Sequence, residues 1–64
     1  MTTVEKILDL SQRKGFTRAE LADLLNISEH ILDDWEKGLR EPAIRHIVIA
    51  SEYFNVTTDY ILKE

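Results

Sequence analysis

The sequence has 64 residues, which is enough for one domain at most, so we predict that residues 1–64 form a single domain. It contains no cysteine, which excludes disulfides, thiolate metal sites and thiol catalysis. A formal net charge of −4 counts against nucleic-acid binding. However, six of the eight basic residues lie between positions 13 and 45, and the distribution of charge matters more than its total.

The N-terminal stretch MTTVEKILDL lacks the basic region and apolar run of a signal peptide. No apolar run in the sequence is long enough to span a bilayer. We therefore expect a soluble, cytoplasmic protein with no membrane partner.

The first two predicted helices are separated by a glycine. Apolar residues at helical spacing predict helix 1 over residues 4–14, and Gly15 is a natural stop. Helix 2 begins with a capping box, in which the Thr17 hydroxyl accepts from the Glu20 amide while the Glu20 carboxylate accepts from the Thr17 amide.

A very short turn connects helix 2 to helix 3. Asn26 can end helix 2 in a left-handed conformation, and Ser28 can cap helix 3 only two residues later. Helix 3 is predicted over residues 29–37, before Gly38. Two helices joined so tightly must cross steeply, as in a helix-turn-helix.

Two more helices complete an all-α, five-helix prediction. Pro42 suits the first turn of helix 4, because its missing N–H has no helical partner there. The buried side of helix 4 is predicted to consist of Ile44, Ile47, Val48 and Phe54, with Ala50 at a close contact. Thr57 can cap helix 5, with Val56 and Ile61 placed as a hydrophobic staple across that cap.

The run FTRAELADLLNISEHILDDWEKGLREP resembles the phage-repressor (Cro and Xre-type) helix-turn-helix family. The order and spacing of T-x-x-E-L-A, N-I-S and W-E-x-G-x-x-x-P carry the resemblance, and EYFNVTTDYIL resembles the last two helices of many small regulators in that family. The resemblance covers nearly the whole chain and implies a compact, five-helix, lambda-repressor-like DNA-binding domain. It also implies a sequence-specific transcriptional regulator of bacterial or phage origin, with repression as the expected effect.

In that family helix 3 lies in the major groove of double-stranded DNA, and the segments around it hold phosphates. The candidate base-reading residues that the resemblance implies are Ser28, Glu29, His30, Asp33 and Asp34. The candidate phosphate-binding residues are Arg13, Lys14, Thr17, Arg18, Lys37, Arg40 and Arg45.

The predicted recognition helix is unusually acidic for this role. Its acids could accept hydrogen bonds from cytosine amino groups. Alternatively, the acidic face could dock on the basic DNA-binding surface of a partner repressor, so that the chain acts as a modulator or antirepressor. The residues alone leave both readings open.

Two ion-pair expectations concern this helix. Asp33 and Lys37, four residues apart with the acid first, should form a favourable pair. Many relatives pair the glutamate that follows the tryptophan position with an arginine of helix 1, but Ser11 stands at that arginine's position here. Glu36 should therefore be partly exposed and bonded to Arg40, a backbone amide or water.

Small domains of this family usually act as symmetric dimers. Tyr60, Ile61 and Leu62 are candidates for the dimer surface, although Ile61 suits the core equally well. His30, Asp34 and Glu29 make only a weak metal site, and an uncoordinated His30 is favoured. No phosphate loop or nucleophile motif is present, so we expect no cofactor, no small-molecule substrate and no enzymatic activity.

Overall fold

The computed structural model describes residues 1–63 and is all-helical over that range, as predicted. Its five helices are α1 (Thr3–Arg13), α2 (Arg18–Leu25), α3 (Glu29–Glu36), α4 (Ile44–Tyr53) and α5 (Thr58–Leu62). Each of the five is too short or too polar to cross a membrane.

Side-chain hydroxyls start four of the five helices. The capping box predicted at the start of α2 is present, with Thr17 Oγ1 accepting from the Glu20 amide at 3.1 Å and Glu20 Oε1 accepting from the Thr17 amide at 2.9 Å. A second capping box, formed by Thr2 and Glu5, starts α1 one residue earlier than the apolar spacing suggested. The predicted caps of α3 and α5, Ser28 and Thr57, each accept a backbone N–H three residues ahead.

The first four helices end in the same way, at a residue with positive φ. These residues are Gly15, Asn26, Gly38 and Asn55. At the end of α2, the Ile27 amide donates to the Ala22 carbonyl at 2.9 Å, and Asn26 has a φ of 57°. This is the hydrogen-bond pattern of a Schellman motif, which satisfies the last carbonyls of a helix and turns the chain sharply. It produces the predicted tight turn between α2 and α3.

The core lies where all five helices meet. Its fully or nearly fully buried members are Ile7, Leu10, Leu21, Leu25, Leu32, Trp35, Ile47, Ala50, Phe54 and Ile61. Ala50, which was predicted at a close contact, is fully buried, and the small side chain of Ala22 on α2 is also buried. Val56 is partly buried and packs against the core cluster to which Ile61 belongs.

The predicted buried side of α4 was wrong at two positions. Ile44 is 69% exposed and Val48 is 39% exposed, whereas Ile47 and Phe54 are buried. The buried side is instead completed by His46 and Ser51. The error arose because polar residues were not considered for the core. Pro42 also precedes the helix rather than lying in its first turn, since α4 begins at Ile44.

Candidate nucleic-acid interface

Four of the five candidate base-reading residues lie on the exposed side of α3. They are Ser28, Glu29, His30 and Asp33. The opposite side of the helix holds Leu32 and Trp35 in the core, at the three-residue spacing of an amphipathic helix.

Asp34 occupies a different environment. Its side chain is only 23% exposed, and its Oδ2 accepts a hydrogen bond from Arg40 Nε at 3.1 Å. The Asp34 carbonyl also accepts the amide of Leu39 at 2.9 Å. The residue therefore stabilises the turn that follows α3, which corrects its assignment to the outward, base-reading face.

The side chain of Arg18, at the start of α2, reaches across to two acids of α3. Its Nη2 atom lies 2.5 Å from Asp33 Oδ1 and 2.6 Å from Glu36 Oε1. The hydrogen bond to Glu36, followed by the charge of that group and the contact with Asp33, raises the pKa of Arg18 despite partial desolvation. We call these three residues the Arg18 bridge.

The Arg18 bridge corrects two expectations about ion pairs. Asp33 pairs with Arg18, and within residues 1–63 no ion pair joins it to Lys37. Glu36 is partly exposed as expected, with 38% of its side chain accessible, but its partner is Arg18 rather than Arg40. Sequence spacing missed the bridge because its members are 15 and 18 residues apart and meet only through the crossing of α2 and α3.

The remaining candidate phosphate-binding residues divide into paired and unpaired groups. Arg13 Nε lies 3.1 Å from Asp9 Oδ2, one helical turn earlier on α1. Lys14, Lys37 and Arg45 are exposed and form no ion pair within the part of the chain that the structure describes. These three side chains are available to an external anion.

Two candidate ligands at helix starts already accept hydrogen bonds. The hydroxyls of Thr17 and Ser28 accept backbone amides of their own helices at 3.1 and 3.2 Å. A hydroxyl has one hydrogen to donate besides its acceptor sites. Both residues therefore keep a donor for a phosphate or a base while they cap α2 and α3.

His46 was not singled out from the sequence, although it lies beside the segment that follows α3. It is 7% exposed, its Nδ1 accepts the Ala43 amide at 3.0 Å, and its ring packs 5.1 Å from that of Trp35. Burial, and secondarily the positive charge of Arg45, lowers the pKa of His46. The available sequence signal was its position, three residues after a helix cap, where an acceptor side chain bonds back to the cap amide.

The candidate dimer residues separate by burial. Ile61 is fully buried in the core, so its prediction as a dimer contact was wrong. Tyr60 and Leu62 are 45% and 46% exposed. Lys6 Nζ donates to the Tyr60 carbonyl at 2.9 Å and lies over its ring, which ties α5 to α1.

An open groove of about 880 Å³ lies next to Leu62. It runs between the start of α1, the end of α3 and the start of α4, and Val4, Trp35 and Ile44 are among its lining residues. No group of three His, Asp or Glu residues within residues 1–63 is arranged to hold a metal ion.

A helix pair joined by a short turn, an exposed face on its second helix and basic side chains on both flanks define a helix-turn-helix domain. The helix-turn-helix family model HTH_3 matches residues 4–61. The chain belongs to this Xre/Cro-type helix-turn-helix family, as the sequence resemblance predicted.

Two known relatives are similar in sequence to this chain. The chain is 32% identical over 62 residues to the HTH-type transcriptional regulator ImmR of Bacillus subtilis (strain 168), covering 97% of this chain and 49% of ImmR. It is 33% identical over 58 residues to the HTH-type transcriptional activator BcrR of Enterococcus faecalis, covering 91% of this chain and 28% of BcrR. The chain thus spans about half or less of these relatives.

A similar fold occurs in a solved chain of the SinR protein/SinI protein complex. The two structures superpose with a TM-score of 0.80 at 23% sequence identity. The match covers 98% of this chain and 62% of that chain. At this identity the likeness concerns the fold.

Proposed function

We propose that this chain is a sequence-specific, DNA-binding regulator of transcription that places α3 in the major groove and acts as a repressor. Family membership and the two relatives named as transcriptional regulators support DNA binding as the activity. The relatives include a regulator named as an activator, so repression rests on the sequence resemblance to phage repressors.

The observation that carries this proposal is the pairing of the acids on and beside the exposed face of α3. Asp33 and Glu36 share the guanidinium of Arg18, and Asp34 is bonded to Arg40. The two arginines offset two of the three negative charges of these acids, so a phosphate backbone approaching this surface meets a reduced negative charge. Glu29 is the one acid of α3 that has no ion-pair partner among residues 1–63.

The exposed side chains of α3 then have distinct base-reading roles. Glu29, and the Asp33 oxygen that does not contact Arg18, accept from cytosine amino groups, while His30 and the Ser28 hydroxyl donate to purine acceptors. Lys14, Lys37 and Arg45 hold phosphates on the flanks. Thr17 contributes its hydroxyl hydrogen at the start of α2.

The regulator acts as a homodimer in this proposal, because two recognition helices are needed for useful affinity and selectivity. Tyr60 and Leu62 are the exposed residues of α5 assigned to the dimer surface. The partners of the chain are therefore double-stranded DNA and a second copy of itself, in the cytoplasm of a bacterium.

The test is selection of bound duplexes from a random-sequence pool, followed by measurement of affinity for the selected duplex at several salt concentrations. We expect enrichment of a two-fold symmetric site. Lys37→Gln should weaken binding to all sequences and reduce the salt slope by about 1, whereas the matched change Lys63→Gln on α5's C-terminal side should not. Recovery of an unenriched pool would contradict sequence-specific binding.

A second candidate function is docking of the acidic face on a partner repressor. The exposed Glu29 and Asp33 favour it, and the similar solved chain comes from a complex of two proteins. This candidate predicts that the chain binds a repressor encoded beside it and releases that repressor from DNA, without enriching any duplex itself. Selective DNA binding by the chain alone would argue against it.

A further inference from the structure

The Arg18 bridge uses only part of the guanidinium. A single nitrogen, Nη2, contacts both carboxylates, and it has two hydrogens to donate. The three N–H groups of Nε and Nη1 form no hydrogen bond within the described residues 1–63, and 42% of the Arg18 side chain is exposed. Arg18 can therefore hold both acids and still present donors to solvent.

Without Arg18, the surface of α3 would carry a strong local negative charge. Asp33 and Glu36 are three residues apart on one helix, where like charges repel. Glu29, one turn before Asp33, adds a third acid with no ion-pair partner in the described range. A surface with these charges uncompensated would repel the polyanion it is proposed to read.

We propose that Arg18 is a positioning residue that offsets one of the two negative charges of Asp33 and Glu36 and fixes the Asp33 carboxylate for base reading, rather than an independent phosphate ligand. Its contact with Asp33 Oδ1 leaves Oδ2 as the acceptor offered to a base. The bridge therefore lowers the repulsion between an acidic recognition helix and DNA. The DNA part of this inference rests on the proposed function, whereas the bridge itself can be tested without DNA.

A double-mutant cycle separates this role from the alternatives. We would compare Arg18→Gln in the native sequence and in an Asp33→Asn/Glu36→Gln background, using a fluorescent random-sequence duplex at about 50 mM salt, where non-specific charge effects are strong. We expect Arg18→Gln to weaken binding by roughly tenfold in the native sequence and by less than about threefold in the acid-free background.

Two other outcomes would overturn the proposal. If Arg18 were an independent phosphate ligand, Arg18→Gln would weaken DNA binding by the same factor in both backgrounds. If the acids instead held Arg18 away from DNA, the loss would be larger in the acid-free background, because Arg18 would then be free to bind phosphate. The sign of the coupling therefore decides among the three roles.

A DNA-free measurement tests the bridge directly. In the free protein, NMR should resolve separate Arg18 Nη resonances, because two carboxylates restrict rotation of the guanidinium, and Asp33→Asn/Glu36→Gln should merge them. Arg45, which forms no ion pair within residues 1–63, is the matched control and should show averaged resonances in both proteins. Averaged Arg18 resonances in the native sequence would refute the bridge, whereas absence of DNA binding with an intact NMR signature would refute only the proposed function.

Discussion

Replacing His46 by Ala should remove two interactions that hold the start of α4 against α3. One is the hydrogen bond from the Ala43 amide to His46 Nδ1, at 3.0 Å, which stabilises by about 1 kcal/mol. The other is the contact with the Trp35 ring at a centroid distance of 5.1 Å, and an aromatic contact of this kind contributes roughly 0.5–1.5 kcal/mol. We expect His46→Ala to lower the free energy of unfolding by about 2 kcal/mol.

Thermal unfolding followed by circular dichroism measures this loss. At roughly 4–8 °C per kcal/mol for a domain of this size, the Tm should fall by about 8–16 °C. Gln at the same position can still accept the Ala43 amide, as in a capping box, so His46→Gln should recover about 1 kcal/mol of the loss. Equal destabilisation by Ala and Gln would refute the role of the hydrogen bond, and exposed His30→Ala should change stability by less than about 0.5 kcal/mol.

The same site should make stability depend on pH. Burial lowers the pKa of His46 from the ordinary value of 6.5, so the unfolded chain takes up the proton at a higher pH than the folded protein does. The contribution of neutral His46 is therefore complete above about pH 6.5 and is lost as the pH falls through the folded pKa. Protonation also replaces the Nδ1 acceptor by a second donor facing the Ala43 amide, beside the cations Arg40 and Arg45 and the carboxylate of Glu41.

Trp35 is the single tryptophan, so its fluorescence reports unfolding next to His46. Urea titrations between about pH 7 and pH 5 avoid most carboxylate titration. Stability should fall with decreasing pH in the native sequence and in His30→Gln, and should be flat in His46→Gln. A pH dependence that His30→Gln abolishes would show that the wrong histidine had been assigned.

Two further substitutions test the turn and the core. Asn26→Gly should leave stability nearly unchanged, whereas Asn26→Ala should lower the free energy of unfolding by about 1–2 kcal/mol. The reason is that Asn26 has a φ of 57°, which Ala adopts poorly. Equal urea midpoints for the two variants would contradict this expectation. Leu32→Ala should cost about 2–5 kcal/mol because Leu32 is fully buried beneath the recognition face, and an unchanged calorimetric Tm would mean that the core collapses around the lost volume.

Local signals predicted most of the backbone, because caps and turns depend on neighbouring residues. Thr17, Ser28 and Thr57 cap helices as expected, and Asn26 turns the chain between α2 and α3. The start of α1 was misplaced by one residue because the capping box that begins at Thr2 lies outside the apolar periodicity. Residues that interact within one turn of a helix can be recognised from spacing alone.

The sequence predicted which residues belong to the candidate site, but it did not predict which of their charged side chains form ion pairs. The exposed side of α3 follows from helical periodicity, but the Arg18 bridge depends on the crossing angle of two helices and on a long side chain. The prediction of the buried side of α4 failed for a related reason. His46 is polar, and it lies in the core because it accepts a hydrogen bond from the Ala43 amide and packs against the Trp35 ring. Contacts with residues distant in the sequence decide whether such side chains are buried or paired, and a single sequence does not identify those contacts.

The pairing of charges also predicts how binding should respond to salt. Arg13, Arg18 and Arg40 are already engaged by carboxylates, so their contact with DNA releases few counterions. The unpaired basic side chains of the site (Lys14, Lys37 and Arg45) should dominate, and at about 0.9 per neutralised phosphate the slope of log K against log salt should be about −3 per protomer. A slope near −5 would mean that the paired arginines leave their acids for phosphates, and it would contradict the bridge. The net charge of −4 does not enter this slope, because counterion release depends on the contacts made and not on acids elsewhere on the surface.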